Sequence, residues 1–219
     1  MEDKKFQILK RQRPWRDAYY YQKTEVLYQL TFVFCKRFLN AYNDRTVDQM
    51  VQAARSGKQN IIEGTEDGVT STEMHIKLMN VARSSIQELR EDYRDFLTSR
   101  ELTIWDRTHP RYENMIAFCR KHNHTENYQP YFNSWTEEEM ANIALTLCYM
   151  VDSMMNHYLK NLEDDFVKEG GIKERMHAAR TNYRHATQQE VNFLKAKVAD
   201  LEKEILRLQQ ILSQSGIKY

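Results

Sequence analysis

The sequence predicts an all-α protein: an antiparallel four-helix bundle with a short helical insert and a C-terminal coiled-coil helix. Three observations lead to this fold class. Glycine and proline are scarce, at 6 and 3 of 219 residues, whereas sandwiches and barrels need many turns. Apolar residues recur at three- and four-residue spacing over long segments, as on one face of an α-helix. The C-terminal segment instead follows a heptad repeat, which is typical of a coiled coil.

The apolar spacing predicts four long helices, at about 17–42, 46–63, 71–100 and 137–169. The third helix has a regular stripe of Met79, Ala82, Ile86, Leu89, Tyr93 and Phe96. The stripe of the fourth helix consists of Ile143, Leu147, Met150, Met154, Tyr158 and Leu162. Each stripe needs a partner to bury it, and mostly short links favour an antiparallel bundle.

Cap and turn residues predict where the elements begin and end. Thr70 with Glu73, and Thr136 with Glu139, fit the capping box of a helix start. The stretch from Gly64 to Gly68 is predicted as the C-cap and turn after the second helix. The domains are then a basic arm at 1–16, the bundle at 17–170, a helical connector at 171–186 and the coiled coil at 187–219. The bundle includes an insert at 101–135, with a short helix expected at 110–121.

The heptad repeat predicts self-association through the tail. Its a positions are Val191, Val198, Ile205 and Leu212, and its d positions are Leu194, Leu201 and Leu208. In a parallel pair, Glu190 would face Lys195 of the partner and Lys197 would face Glu202, so both flanking pairs attract. Mostly β-branched residues at a with leucine at d favour dimers. The alternative is that this helix folds back onto its own bundle.

Composition excludes several classes of protein. No stretch of 18 uncharged apolar residues is present, so no membrane span is expected. The N-terminus lacks the apolar core of a signal peptide, which makes the cytoplasm the default location. The cysteines Cys35, Cys119 and Cys148 are odd in number and far apart, which argues against a disulfide framework.

No catalytic or metal-binding motif stands out, so we expect neither an enzyme nor a bound cofactor or metal. A di-iron bundle needs two Glu-x-x-His pairs, and the single such spacing, Glu174 to His177, lies outside the predicted bundle. His122 and His124 are read as part of a solvated turn. The P-loop, the Rossmann fingerprint and the G-x-S-x-G motif are absent from the sequence.

Basic residues are unevenly distributed and suggest contact with phosphates. The segment 1–16 has six basic and two acidic side chains, and Arg83, Arg90 and Arg94 recur along the third helix. Such residues can grip a nucleic-acid backbone. The alternatives are a solvated arm and arginines paired with Glu91, Asp92 and Asp95. The candidate nucleic-acid contacts are Lys4, Lys5, Lys10, Arg11, Arg13, Arg55, Lys58, Arg83 and Arg90.

Three segments carry a family resemblance: QAARSGKQNIIEG at 52–64, VARSSIQEL at 81–89 and EDYRDFL at 91–97. They resemble the four-helix-bundle family of proteins encoded in intervening sequences of bacterial large-subunit ribosomal RNA genes, and within it the suffix-domain subgroup. Gly57 stands where the family has an apolar residue, and Ser84 stands where it has glycine. The resemblance covers about 15–185, and the tail lies outside it.

The resemblance has implications for assembly and binding. The fold is shared by the accessory variability determinant proteins of diversity-generating retroelements, which form homopentamers and bind a reverse transcriptase and nucleic acid. The signature polar residues would form a buried network that sets helix register or an oligomer interface, or they would touch a ligand directly. These residues are Ser56, Asn60, Glu63, Ser85 and Glu88.

Two functional hypotheses follow. The leading one is a non-enzymatic, homo-oligomeric, RNA- or DNA-binding helical scaffold, an accessory protein to a reverse transcriptase or another nucleic-acid enzyme. The alternative is a pure protein–protein assembly module without nucleic-acid binding. The expected subunit number is open, because the family resemblance implies a pentamer and the heptad chemistry implies a dimer.

Overall fold

The computed structural model describes residues 14–39 and 45–214. Over these residues the chain is helical and contains no strand, which confirms the all-α prediction. The α-helices are α1 (Tyr19–Phe38), α2 (Arg45–Asp67), α3 (Thr72–Ser99), α4 (Tyr112–Lys121), α5 (Glu137–Glu169) and α6 (Ile172–Gln214). Short 3-10 turns lie at Trp15–Asp17, Thr125–Asn127 and Gln129–Tyr131.

Four helices supply most of the core. The packed pairs are α2 with α3, α3 with α5, α5 with α1, and α1 with α2. The predicted stripe of α3 is buried along its whole length, as expected for an amphipathic helix. At the centre, the rings of Phe34 and Tyr93 lie 5.0 Å apart, and the Tyr93 hydroxyl donates to Thr31 at 2.9 Å.

Close approach of α2 and α3 depends on two glycines within α2. A Cβ atom at Gly57 would lie 2.7 Å from Cδ1 of Ile86, and one at Gly64 would lie 3.0 Å from Cβ of Leu78. The prediction that Gly64 forms a C-cap was therefore wrong: α2 continues to Asp67, and Gly64 is buried inside it. A glycine is needed at this position because α2 and α3 lie too close together for a side chain.

The cap predictions had mixed outcomes. The capping box of α5 is confirmed, because Glu139 N–H donates to Thr136 Oγ1 and Thr136 N–H donates to Glu139 Oε2. The box at Thr70 was wrong: Ser71 is the N-cap of α3 and accepts from Met74 N–H at 3.1 Å. The Thr70 hydroxyl instead donates to the Asp67 carbonyl, so it belongs to the preceding turn.

The buried row of α5 differs from the predicted one. Ile143 and Leu147 are buried, but Met150, Met154 and Tyr158 are only partly so, and the deep positions beyond Leu147 are Cys148, Val151, Met155 and Leu159. The reason is that α5 also packs against α4 and the insert. Every residue of α5 from Met140 to Cys148 is consequently buried.

Hydrogen bonds that the sequence does not predict connect the insert to α5. Trp105 N–H donates to Asn142 Oδ1 and its indole N–H to Glu138 Oε1, both at 2.8 Å. The Asn142 amide donates to the Thr103 carbonyl at 2.9 Å. From α1, the buried ammonium of Lys23 donates to the carbonyls of Cys119 and His122, where the last carbonyls of α4 have no partner within the helix.

The described chain divides into two compact units, one ending at Ile172 and the other beginning at Lys173. Gly170, with φ of 70°, ends α5 in a backbone conformation that favours glycine. The helix α6 then runs unbroken from Ile172 to Gln214 through both the predicted connector and the predicted coiled coil. Within the described ranges, no helix is long and apolar enough to cross a lipid bilayer.

Candidate functional site

The predicted nucleic-acid contacts do not form one free basic surface among the described residues. Lys4, Lys5, Lys10, Arg11 and Arg13 lie outside these residues. The ammonium of Lys58 is 2.8 Å from a carboxylate oxygen of Glu25. The guanidinium of Arg83 is 2.8 Å from Asp152. Arg55 is exposed on α2.

The arginine row of α3 is largely engaged in ion pairs. Arg90 lies 2.8 Å from Glu91 and 4.0 Å from Asp152. Arg94 lies 3.6 Å from Glu91 and also donates to the Tyr149 hydroxyl. Asp152 of α5 thus forms ion pairs with two arginines of α3, Arg83 and Arg90. Its charge cancels part of the attraction that the row would exert on phosphates.

Three of the five signature polar residues are brought together. The Ser85 hydroxyl donates to Ser56 Oγ at 3.0 Å, and the Asn60 amide donates to the same oxygen at 3.1 Å. Glu63 instead accepts from Gln59 on the exposed side of α2, and Glu88 is exposed on α3. The hydrogen bond between Ser85 and Ser56 joins α3 to α2 next to the close approach at Gly57.

A small polar cleft of about 410 Å³ adjoins these residues. Its lining comprises Gln49, Gln52, Ala53, Ser56, Ser85, Glu88 and Asp92. Partial burial, together with the charges of Asp95 and Glu88, raises the pKa of Asp92 to about 6. Ionisation of Asp92 near neutral pH is therefore opposed by its neighbours.

The heptad residues of α6 form an exposed apolar seam. Exposure of the side chains at the a and d positions from Val191 to Leu208 ranges from 37% at Val191 to 56% at Leu201. Leu212, the last a position, is partly buried. The seam residues are Val191, Leu194, Val198, Leu201, Ile205, Leu208 and Leu212.

An open cleft of about 1120 Å³ lies beside α5, and we call it the insert cleft. One wall is a face of α4 with Tyr112, Ile116 and Arg120, and the other is a face of α5. The remaining lining comes from α1, α3, the loop at 104–107 and Asn123. Sequence reasoning missed this site, because Met150 and Met154 were predicted as core residues and in fact line it.

Cations outnumber carboxylates in the lining of the insert cleft. Lys23, Arg94, Arg107 and Arg120 contribute to it, against Asp106 and Glu113. Burial lowers the pKa of Lys23 despite its carbonyl partners. The Asp106 carboxylate accepts from the hydroxyl and the N–H of Thr108, and these bonds lower its pKa.

Thiol and imidazole groups are dispersed. The three cysteines are free and buried, and burial raises the pKa of Cys119 to about 12. In the part of the chain that the structure describes, no three side chains of histidine, cysteine, aspartate or glutamate are grouped so that they could hold a metal ion.

Comparison of the chain with protein families, with curated proteins and with solved structures finds no match.

Proposed function

We propose that this protein is a homo-oligomeric assembly module whose protomers are joined by α6 in a parallel coiled coil. The single observation that carries the proposal is the exposed heptad seam. Apolar side chains at successive a and d positions leave a continuous stripe in water on one chain. Each large aliphatic side chain gains about 1.5–3 kcal/mol on full burial, which a second copy of the helix would provide.

The flanking charges support a parallel dimer. Glu190 and Lys197 occupy g positions, and Lys195 and Glu202 occupy the e positions that face them in a parallel partner. Both pairs attract only when the helices are parallel and in register. The a positions are mostly β-branched and the d positions are leucine, which favours two strands. We therefore prefer the dimer to the pentamer of the resembled family.

The body of the protomer belongs to the same proposal. We take α1, α2, α3 and α5 to form an antiparallel four-helix bundle, as the family resemblance implies. Support comes from the contacts: each of the four helices packs against two of the others, so that their apolar stripes face a common core. The insert that contains α4 would be a lateral addition to this bundle.

Two leucines provide a matched test of the seam. Leu208 lies at d and is 50% exposed, while Leu206 lies at b, outside the seam, and is 61% exposed. Leu208→Gln should raise the dimer dissociation constant roughly a hundredfold or more, because one buried side chain is lost from each chain. Leu206→Gln should leave it unchanged. Sedimentation equilibrium measures both, and equal effects of the two substitutions would contradict the seam.

Charge exchange tests the parallel register. A chain with Glu190→Lys and Lys197→Glu should associate poorly with itself, as should a chain with Lys195→Glu and Glu202→Lys. Mixed together, the two variants should form heterodimers, because every flanking pair is again attractive. Native mass spectrometry distinguishes these species. Failure of the mixture to restore the dimer would rule out the parallel register.

Binding of nucleic acid stays a prediction. It draws on the basic arm at 1–16 and on Arg55, since Lys58, Arg83 and Arg90 already face carboxylates. An electrophoretic mobility shift at low salt, with single- and double-stranded RNA and DNA, tests it. If no shift appears, the scaffold is an assembly module alone.

A further inference from the structure

We propose that the insert cleft binds a small nucleoside phosphate, with cationic side chains on the phosphates and aromatic side chains beside the base. The proposal concerns a surface of the body of the protomer and does not depend on the coiled coil. The volume of the insert cleft, about 1120 Å³, is ample for such a molecule. The lining combines cationic, aromatic and apolar groups, as such a ligand requires.

Two arginines of the cleft are uncommitted. Arg107 and Arg120 are exposed, and among residues 14–39 and 45–214 neither guanidinium has a carboxylate within 4.0 Å. This separates them from Arg83 and Arg90, whose charges are neutralised on the neighbouring helix face. Guanidinium groups bind phosphate oxygens through pairs of parallel N–H donors. Both guanidinium groups are therefore available to a phosphate bound in the cleft.

Helical spacing places these charges beside apolar and aromatic groups. On α4, Ile116 and Arg120 are four residues apart and share a face with Tyr112. On α1, Tyr19 precedes Lys23 by one turn, and its ring is largely exposed. A planar base can stack on an exposed aromatic ring. Lys23 lies deeper in the same cleft, where its ammonium donates to the carbonyls of Cys119 and His122.

The α5 wall supplies the remaining contacts. Tyr149 is half exposed, and its hydroxyl accepts from Arg94, which orients the phenol ring at the cleft. Met150 and Met154 contribute apolar surface, and Ser153 is an exposed hydroxyl on the same face. Methionine adapts to the shape of a bound ring. A purely aliphatic acid would leave the tyrosines and the hydroxyl without a matching group.

Isothermal titration of the full chain with ATP, without added metal, tests the proposal. Adenosine and tripolyphosphate serve as half-ligands, and each should bind at least roughly tenfold more weakly than ATP, because each lacks one set of contacts. A single-stranded DNA 12-mer distinguishes a free nucleotide from a nucleotide within a strand. The proposal is overturned if ATP does not bind at millimolar concentration, or if tripolyphosphate alone binds as tightly as ATP.

Variants locate the site. Arg107→Glu and Arg120→Glu should each weaken ATP binding by roughly tenfold or more, through loss of a charge-assisted contact. Arg55→Glu is the matched control, because this arginine is also exposed but lies on α2 away from the cleft, and it should have no effect. Ser153→Trp should block binding by filling the cleft. Circular dichroism verifies folding, and an equal loss with Arg55→Glu would overturn the assignment.

Discussion

Buried polar residues in this protein are accommodated by different means. Lys23 is 4% exposed and donates to carbonyls at the end of α4. Asn142 uses both its amide hydrogens and its oxygen on the insert and on α5. His75 is 1% exposed, and its Nε2 lies 3.2 Å from the Tyr158 hydroxyl. A buried polar group without such partners would destabilise the fold.

His75 should make the stability of the fold depend on pH. Burial lowers its pKa to about 4 from an ordinary 6.5, so the folded state favours the neutral imidazole. The stability associated with this residue is complete above pH 6.5 and decreases as pH falls from 6.5 towards 4. At pH 4 the loss reaches about 3 kcal/mol, at 1.36 kcal/mol for each unit of pKa difference.

Urea unfolding at pH 7, 6, 5 and 4 measures this dependence. The quantity to compare is the difference between the wild type and His75→Leu, since carboxylates titrate in both proteins. The free energy of unfolding of the wild type, minus that of His75→Leu, should decrease as the pH falls. A difference that does not change with pH would show that His75 is not buried as a neutral group.

These residue-scale contacts could not be predicted from the sequence. The partners are distant in the chain, as in the pairs Lys23 with Cys119 and Trp105 with Glu138. No local sequence pattern predicts that they come into contact. The signature residues were expected to form one polar network, and only some of them meet. Ser56, Asn60 and Ser85 meet between α2 and α3, while Glu63, three residues after Asn60, turns to Gln59.

At the scale of elements, helix starts depend on which hydroxyl adopts the cap conformation. Thr70 and Ser71 are adjacent, and both could precede a helix by residue type. The chain turns at Asp67, whose carbonyl accepts from the N–H groups of Thr70 and Ser71. The turn therefore leaves Ser71 extended and able to cap α3.

The two hydroxyls give a matched pair of cap variants. Ser71→Ala should reduce the free energy of unfolding by about 1 kcal/mol, because Met74 N–H loses its acceptor. Thr70→Ala should cost less than about 0.5 kcal/mol, as expected for an exposed hydroxyl outside a cap. Urea denaturation compares them. A larger loss for Thr70→Ala would restore the original cap prediction.

In α5, the spacing of apolar residues in the sequence does not identify the buried face correctly. The predicted stripe assumes one buried face, and this holds for α3, which has its stripe fully buried. The first turns of α5 have an additional neighbour in the insert, so more than one face is covered. Further along, Met150 and Met154 line the insert cleft. An apolar pattern cannot distinguish a core face from the wall of an open cleft.

At the scale of the whole molecule, the core and the seam lie in different units. The buried apolar cluster extends from Tyr21 to Leu159 within the unit that ends at Ile172. The heptad residues belong to the unit that begins at Lys173. Folding of the body and association of the tail should therefore be separable.

Deletion of 187–219 tests this separation. The shortened chain should be monomeric by light scattering and should still unfold cooperatively, because the deletion removes none of the core cluster. The full-length control is Leu208→Gln, compared at dilutions where it is monomeric. The thermal midpoints of the two proteins should then not depend on protein concentration and should agree within a few degrees. An unchanged subunit number would reject the coiled coil, and loss of cooperative unfolding would reject the independence of the body.

The sequence by itself determined the helical class, the approximate extent of the long helices, the stripe of α3 and the heptad pattern of the tail. These are local features, since periodicity and caps involve residues within a few turns of one another. Tertiary structure alone decided which arginines pair with Asp152, which glycines allow two helices to approach closely, which row of α5 is buried and where a cleft opens. Each of these depends on neighbours that are remote in the chain, and their positions follow only from how the helices pack.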